Sequence, residues 1–194
     1  VDLNENGRCD CDSEPCTWTD DNGTYSLNVS SSQKNYYIVA EVIKGTTIDK
    51  DDNNPVDANY TLMSPPPEML GGNNTIIVTP ITTMVANKLK VEPGLTIEDA
   101  KNSIKNRLNI DNVLNDYIAD GNKTIHNIAR VVAKGIANGL TQLASQDYNS
   151  TIKLAYITDL ILDKISSILY KIQNSTSDLN STEIKSYASS VVNS

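Results

Sequence analysis

Apolar residues recur at every third or fourth position from Pro80 onward, which is the spacing of one buried face of an α-helix. The longest such run consists of Ile125, Ile128, Ala129, Val132, Ala133, Ile136, Ala137, Leu140, Leu143 and Ala144. Further helices are predicted over residues 80–90, 96–108, 111–119, 150–172 and 180–192, with breaks at Glu92-Pro93-Gly94 and Asp120-Gly121. The pattern predicts an all-α domain over residues 80–194.

The first part of the chain alternates apolar and polar residues instead, as strands do. Strands are predicted at 17–19, 24–29, 36–43, 60–63 and 75–79, and Asn22-Gly23 predicts a type I′ hairpin turn between the first two. Three prolines at 65–67, followed by Gly71-Gly72-Asn73-Asn74, indicate the end of this part. We therefore expect a small antiparallel β domain over residues 1–79, which makes the protein α+β.

Composition excludes several classes of partner. The 194 residues carry a net charge of −8, and no apolar run approaches the length of a transmembrane helix. Nucleic acids and anionic membrane surfaces need clustered Lys and Arg, so neither is an expected partner. The chain starts at Val1 without an initiator Met, which we interpret as a mature product from which a targeting segment has been removed.

The first sixteen residues contain the most specific chemical signal. Oxygen-bearing side chains fall at Asp2, Asn4 and Asn6, Gly7 follows, and Asp10 and Glu14 come next. Ca²⁺ binds six to eight oxygens, and a loop with ligands at alternate positions and a glycine at its sharp bend supplies them. The spacing predicts a calcium site; the alternative is a solvated acidic turn. It differs from an EF-hand, because position twelve is Ser13 and no amphipathic helices flank the loop.

The same stretch resembles a known family. Val1–Gly7, the acidic run to Glu14-Pro15 and the segment Thr19–Leu27 are similar to the calcium-binding B-repeat sandwich of Gram-positive surface adhesins and to carboxypeptidase-regulatory-like domains of secreted microbial proteins. The resemblance covers residues 1–64. It implies an Ig-like β-sandwich, with Ca²⁺ held by the side chains of Asp2, Asn4, Asn6, Asp10 and Glu14 and by the carbonyl of Arg8. The spacing from Asp10 to Glu14 is one residue longer than in the family, so Asp12 is an alternative to either. The family has a strand before this motif and the present chain has none, so the sandwich is expected to lack its first strand.

The three cysteines lie within eight residues of one another. Cys11–Cys16 and Cys9–Cys16 are both plausible disulfides, which leaves one cysteine free or paired outside the chain. Free thiols are an alternative, whereas a structural zinc site needs four ligands and the only histidine, His126, is distant in sequence. A disulfide indicates an oxidising compartment, so we expect an extracellular or cell-surface protein.

Eight Asn-X-Ser/Thr sequons support export if the host glycosylates proteins, although an Asn- and Thr-rich chain also produces them by chance. They begin at Asn22, Asn28, Asn59, Asn73, Asn122, Asn149, Asn174 and Asn180.

Signals for catalysis are poor. No phosphate-binding loop, nucleophile elbow or metalloprotease motif is present, and no carboxylate lies at a helical spacing that would orient His126. The acidic residues of loop 45–59 are interpreted as a solvated loop rather than a second ion site. We expect no enzyme activity.

The predicted role is that of a structural surface protein, which Ca²⁺ makes rigid and which acts in adhesion or as a filament subunit. The missing first strand leaves a sheet edge that a strand of a neighbouring subunit can fill. The alternatives are a carbohydrate-binding module that uses Trp18 with Tyr36 and Tyr37, and an accessory domain of a secreted hydrolase.

Overall fold

The structure is a computed structural model that describes residues 1–72, 74–147, 150–175 and 177–192. Helices dominate the described residues: α1 (Pro80–Val91), α2 (Ile97–Leu108), α3 (Lys123–Gln142), α4 (Ser150–Gln173) and α5 (Ser181–Val192). Four strands form two antiparallel pairs: β1 (Ile38–Val42) with β4 (Tyr60–Ser64), and β2 (Ile48–Asp49) with β3 (Asn54–Pro55).

Side-chain caps fix the starts of the helices near the predicted positions. Thr79 accepts from the backbone N–H of Thr82, and the Thr82 hydroxyl accepts from the N–H of Thr79, which completes a capping box in front of Pro80. Thr96 and Asn122 cap α2 and α3 through their side-chain oxygens. The predicted helical content of the second part is therefore confirmed.

The predicted helix over residues 111–119 is wrong. This segment forms turns, because Asn112 Oδ1 accepts from the N–H of Leu114, and Asp116 Oδ1 accepts from the N–H groups of Ile118 and Ala119. Short polar side chains that bind nearby backbone amides compete with helical hydrogen bonds.

The predicted β-sandwich is also wrong. No strand occurs in residues 1–31, all of which the structure describes, and the two sheets have two strands each. The turn at Asn22-Gly23 forms, but only Gly23 has a positive φ, so it is not type I′. Two backbone bonds hold the turn: the N–H of Gly23 donates to the C=O of Asp20 (3.0 Å), and the N–H of Asp20 donates to the C=O of Thr24 (2.9 Å). No further ladder follows, and the buried side chains of Val39 and Met63 pack on the helices and not on a second sheet.

The core is formed by the helices together with one face of the β1–β4 pair. Val39 and Met63 belong to the same buried cluster as Ile81, Met84 and Val85 of α1. The contact of β4 with α1 therefore joins the first part of the chain to the helical part. The division into two domains at residue 79 stays a prediction.

None of the described helices is long and apolar enough to cross a membrane.

Candidate functional site

The acidic loop of residues 2–14 folds around two buried carboxylates. Asp2 is fully buried, and its Oδ2 accepts from the N–H of Gly7 (3.0 Å). Glu14 Oε1 accepts from the N–H groups of Leu3 (2.6 Å) and Asn4 (3.0 Å). The two carboxylates thus hold the backbone of the loop in place, which the sequence pattern did not indicate.

The remaining predicted side-chain ligands meet at the outer side of the same loop. Asn4 Nδ2 and Asn6 Nδ2 both donate to Asp10 Oδ2, at 2.8 and 2.7 Å. These two hydrogen bonds lower the pKa of Asp10, so its carboxylate is ionised at neutral pH. The side-chain oxygen of Asn6 accepts from the N–H of Arg8 (2.8 Å). Gly7 supplies the positive φ of the bend (+74°).

A lysine from the helical part reaches this loop, and sequence reasoning missed it. Lys90 Nζ lies 3.5 Å from Asp2 Oδ2 and 4.7 Å from the centre of the Tyr37 ring, and its side chain is almost fully buried. Asp2 Oδ1 is buried without a hydrogen-bond partner in the described part of the chain. The end of α1 therefore places one positive charge beside a buried carboxylate that has one oxygen unused.

The donor set of the loop fits a hard cation. All of the predicted side-chain ligands carry oxygen, and the unpartnered Asp2 Oδ1 is the kind of buried oxygen that a cation can satisfy. Asn4 and Asn6 turn their Nδ2 groups towards Asp10, and their side-chain oxygens accept from the N–H groups of Asn6 and Arg8. The structure separates the set into an inner pair, Asp2 and Glu14, and an outer trio, Asn4, Asn6 and Asp10.

Cys11 and Cys16 form a disulfide, which selects one of the two predicted pairings. Cys9 is a free thiol, and its Sγ lies 3.7 Å from Cys11 Sγ. Burial raises the pKa of Cys9 above its usual value, so the thiol is protonated at neutral pH. Its N–H donates to Glu41 Oε1 (3.2 Å), which joins the cysteine segment to β1.

The two edges of the β1–β4 pair differ. On β4, the N–H of Met63 donates to Thr83 Oγ1 (2.8 Å), and its C=O accepts from Thr82 Oγ1 (2.9 Å). Met63 therefore faces Val39 as a non-hydrogen-bonded pair, and the backbone polar groups of Val39 point away from β4.

Two residues further along β1, the N–H and C=O of Glu41 point in the same direction as those of Val39. The described residues provide no hydrogen-bond partner for these four groups. One backbone hydrogen bond is made next to this edge, from the N–H of Asp2 to the C=O of Tyr37 (3.0 Å). The residues of the acidic loop that follow Asp2 make no backbone hydrogen bond to β1 in the described part of the chain, apart from the bond of the Cys9 N–H to the Glu41 side chain described above. Helix α1 closes the edge of β4 at Met63, and the edge of β1 is open over Val39 and Glu41.

An apolar groove of about 280 Å³ runs beside this open edge. Ile38, Ala40 and other β1 residues line one side, and Trp18, Tyr25 and Leu27 line the other. The Trp18 side chain is 76% exposed, whereas the Tyr25 hydroxyl donates to the C=O of Ile76 (2.9 Å). Burial raises the pKa of Tyr25 to about 12, so it stays a neutral donor. Tyr37 lies over Lys90 rather than in this groove, so it does not extend a platform with Trp18.

A second charged cluster joins the β2–β3 loop and the segment between β3 and β4 to α3. Asp51 Oδ1 lies 3.2 Å from His126 Nε2, and Asp51 Oδ2 lies 2.7 Å from Arg130 Nε. Asp57 Oδ1 lies 2.6 Å from Lys134 Nζ. The only sequence signal was the four-residue spacing of His126, Arg130 and Lys134, which places them on one face of a helix. No carboxylate near in sequence orients His126, as predicted, but Asp51 does so from a distant loop. These contacts place basic side chains of α3 beside the carboxylates of Asp51 and Asp57.

Six of the predicted glycosylation residues lie at the surface. They are Asn22, Asn28, Asn59, Asn122, Asn174 and Asn180. Asn73 and Asn149 lie outside the described residues.

No protein-family model, curated protein or solved structure matches this chain.

Proposed function

We propose that the protein is an exported structural subunit that associates with further copies of itself by strand addition at β1. The observation that carries the proposal is the open edge of β1 at Val39 and Glu41, beside an apolar groove. A strand that enters this groove gains backbone hydrogen bonds and buries its apolar side chains at the same time. The role is non-enzymatic.

The strand that we propose to occupy the groove beside β1 is an extended segment of a second copy of the protein. The bond between Asp2 and Tyr37 supports this mode of docking, because a backbone N–H already donates to the C=O of the residue just before β1. A contact between an edge on one copy and a different surface on the next is heterologous, and repetition of it produces an open-ended filament. The disulfide Cys11–Cys16 supports export, since disulfides persist in oxidising compartments.

We also propose that the acidic loop of residues 2–14 binds Ca²⁺. Asp2, Asn4, Asn6, Asp10 and Glu14, with the carbonyl of Arg8, would hold the ion. It would neutralise acidic groups next to the groove of a chain whose net charge is −8, and so reduce repulsion between copies. Because the loop also binds the start of α4, through Thr151 Oγ1 to the C=O of Glu5 (3.3 Å), the ion would stabilise the loop against the helical part.

Thermal unfolding tests the calcium site. Ca²⁺ should raise the melting temperature and EDTA should reverse the rise, because a ligand that binds only the native state stabilises it. Lys90→Met should lower the melting temperature in EDTA, since it leaves Asp2 buried without its counter-charge, and should enlarge the rise on adding Ca²⁺. Lys88→Met is the matched control, because Lys88 pairs with Glu92 away from the loop. An unchanged melting temperature with Ca²⁺ in all three proteins would refute the site.

Sedimentation velocity tests strand addition. Glu41→Pro removes an N–H that points away from β4, so it blocks the edge while the β1–β4 ladder remains. Glu41→Thr is the matched control, since it loses the same carboxylate but keeps the N–H. We expect concentration-dependent association of the wild type and of Glu41→Thr, and monomers of Glu41→Pro with unchanged circular dichroism. Equal association of both variants would rule out the β1 edge.

Exposure of Trp18 favours a second candidate function, binding of carbohydrate by stacking on the indole ring. Glycan-array binding by the wild type, lost in Trp18→Ala and retained in Trp18→Tyr, would support it. Absence of glycan binding by the wild type would dismiss it without affecting the test of the β1 edge.

A further inference from the structure

The three cysteines form a cluster whose sulfur atoms are not among the proposed calcium ligands. Their Sγ atoms all lie within 4.8 Å of one another, and Cys9 Sγ is 3.7 Å from Cys11 Sγ. In the described part of the chain, no other group of three or more His, Cys, Asp or Glu side chains comes this close. Cys11 is exposed, and Cys9 and Cys16 are half-buried, so solutes can reach the cluster.

We infer that reduction of Cys11–Cys16 converts this cluster into a three-thiolate site for a soft cation such as Cu(I). A dithiol or a phosphine supplies the two electrons and becomes oxidised, the S–S bond breaks, and each sulfur takes one proton. The cation then displaces protons from the thiols as it forms bonds to Cys9, Cys11 and Cys16.

The positions of the sulfur atoms favour a metal ion bound by three sulfurs over a closed four-ligand zinc site. With metal–sulfur bonds of about 2.3 Å, three sulfurs around one ion lie about 4 Å apart. Cys9 Sγ already lies 3.7 Å from Cys11 Sγ and within 4.8 Å of Cys16 Sγ, so only the sulfurs of Cys11 and Cys16 must separate after reduction. A closed zinc site needs a fourth nitrogen or sulfur ligand, and the only histidine, His126, pairs with Asp51. Thiolates select soft ions, Cu(I) among them.

The soft site and the acidic loop would not compete for the same ion. The cysteines alternate with Asp10 and Asp12 along the chain, but Ca²⁺ selects oxygen and Cu(I) selects sulfur. One short segment would therefore hold a hard cation with its oxygens and, when reduced, a soft cation with its sulfurs.

Anaerobic titration of the full chain with Cu(I) tests the inference. The protein is reduced with a phosphine, desalted and titrated while native mass spectrometry counts the bound copper and a chromophoric Cu(I) chelator competes for it. We expect one copper per reduced chain and none on the oxidised chain, in which the disulfide occupies two of the ligands.

Cys9→Ser is the decisive variant, because it keeps the Cys11–Cys16 disulfide and hence the fold. After reduction its affinity for Cu(I) should fall by about a hundredfold or more, since it retains two thiolates. Wild-type affinity in this variant, equal binding by the oxidised protein, or no binding by the reduced wild type would each overturn the inference. Neither calcium nor association enters these readouts, so the result is independent of the proposed function.

Discussion

The hydroxyl groups of Thr82 and Thr83 decide which edge of the β1–β4 pair is closed. They are buried on the first turn of α1 and bind the C=O and the N–H of Met63. Side chains of a helix thus take the place of a neighbouring strand along β4. Because β1 has no such partner at Val39 and Glu41, we expect a new strand to add on that side.

Replacement of Thr83 by valine should therefore be costly although the shape changes little. Thr83→Val leaves the buried N–H of Met63 without an acceptor, and we expect the free energy of unfolding to fall by about 1–3 kcal/mol. Thr83→Ser keeps the oxygen and should recover most of this loss. Urea unfolding of the three proteins measures it; equal stability of the valine and serine variants would contradict the role of the hydroxyl.

At the scale of elements, α3 and α4 approach closely where α3 carries glycines. A Cβ at Gly139 would lie 2.8 Å from Cγ1 and 2.9 Å from Cγ2 of Ile157, a buried residue. A Cβ at Gly135 would meet Ile161 at 2.9 Å, but there the nearest atom is Cδ1, the movable end of the side chain.

Gly139→Ala should consequently destabilise the protein more than Gly135→Ala. Overpacking costs about 1–3 kcal/mol, whereas alanine gains about 1 kcal/mol of helix propensity over glycine. Gly139→Ala should lower the unfolding midpoint, and Gly135→Ala should change it less. The reverse order in denaturant unfolding would show that the packing of the two helices differs from this description.

The ion pair of Asp57 with Lys134 predicts how the segment between β3 and β4 responds to acid. The hydrogen bond from Lys134 lowers the pKa of Asp57 below its unfolded value, so its contribution is present above the unfolded pKa of about 3.9. The contribution is lost as the pH falls through the lower, folded pKa.

NMR titration of Asp57 checks this prediction. In Lys134→Met the carboxylate should titrate at higher pH than in the wild type. Amides of the segment between β3 and β4 should exchange faster in that variant at neutral pH, because its link to α3 is lost. Identical titration of Asp57 in both proteins would contradict the prediction.

Patterns among sequence neighbours predicted the helices that are present, whereas contacts between residues far apart in sequence were missed. Thr79-Pro80 and the apolar period of α3 determine helices through neighbours in sequence, and those helices are present. The strands predicted over 17–29 needed partners that sequence does not specify; only their turn forms. The contacts of Lys90 with Asp2 and of Asp51 with His126 join residues far apart in sequence, so no spacing could indicate them.

At the scale of the whole molecule, the acidic loop of residues 2–14, the disulfide and the open edge lie side by side. The Cys9 N–H binds Glu41 of β1, and the groove is lined by all three cysteines. The acidic loop in turn contacts α1 through Lys90 and α4 through Thr151. The helical part therefore supports the segment that borders the groove, and the proposed cation would act at the same place.

Hydrogen exchange at two backbone amides tests the central claim most directly. In dilute, monomeric protein, the amides of Val39 and Glu41 should exchange fast, while those of Ala40 and Leu62, an opposing pair within the β1–β4 ladder, are protected. After association in the presence of Ca²⁺, both edge amides should become protected. Protection of Val39 and Glu41 in the monomer, or their continued fast exchange in the assembled protein, would contradict the account.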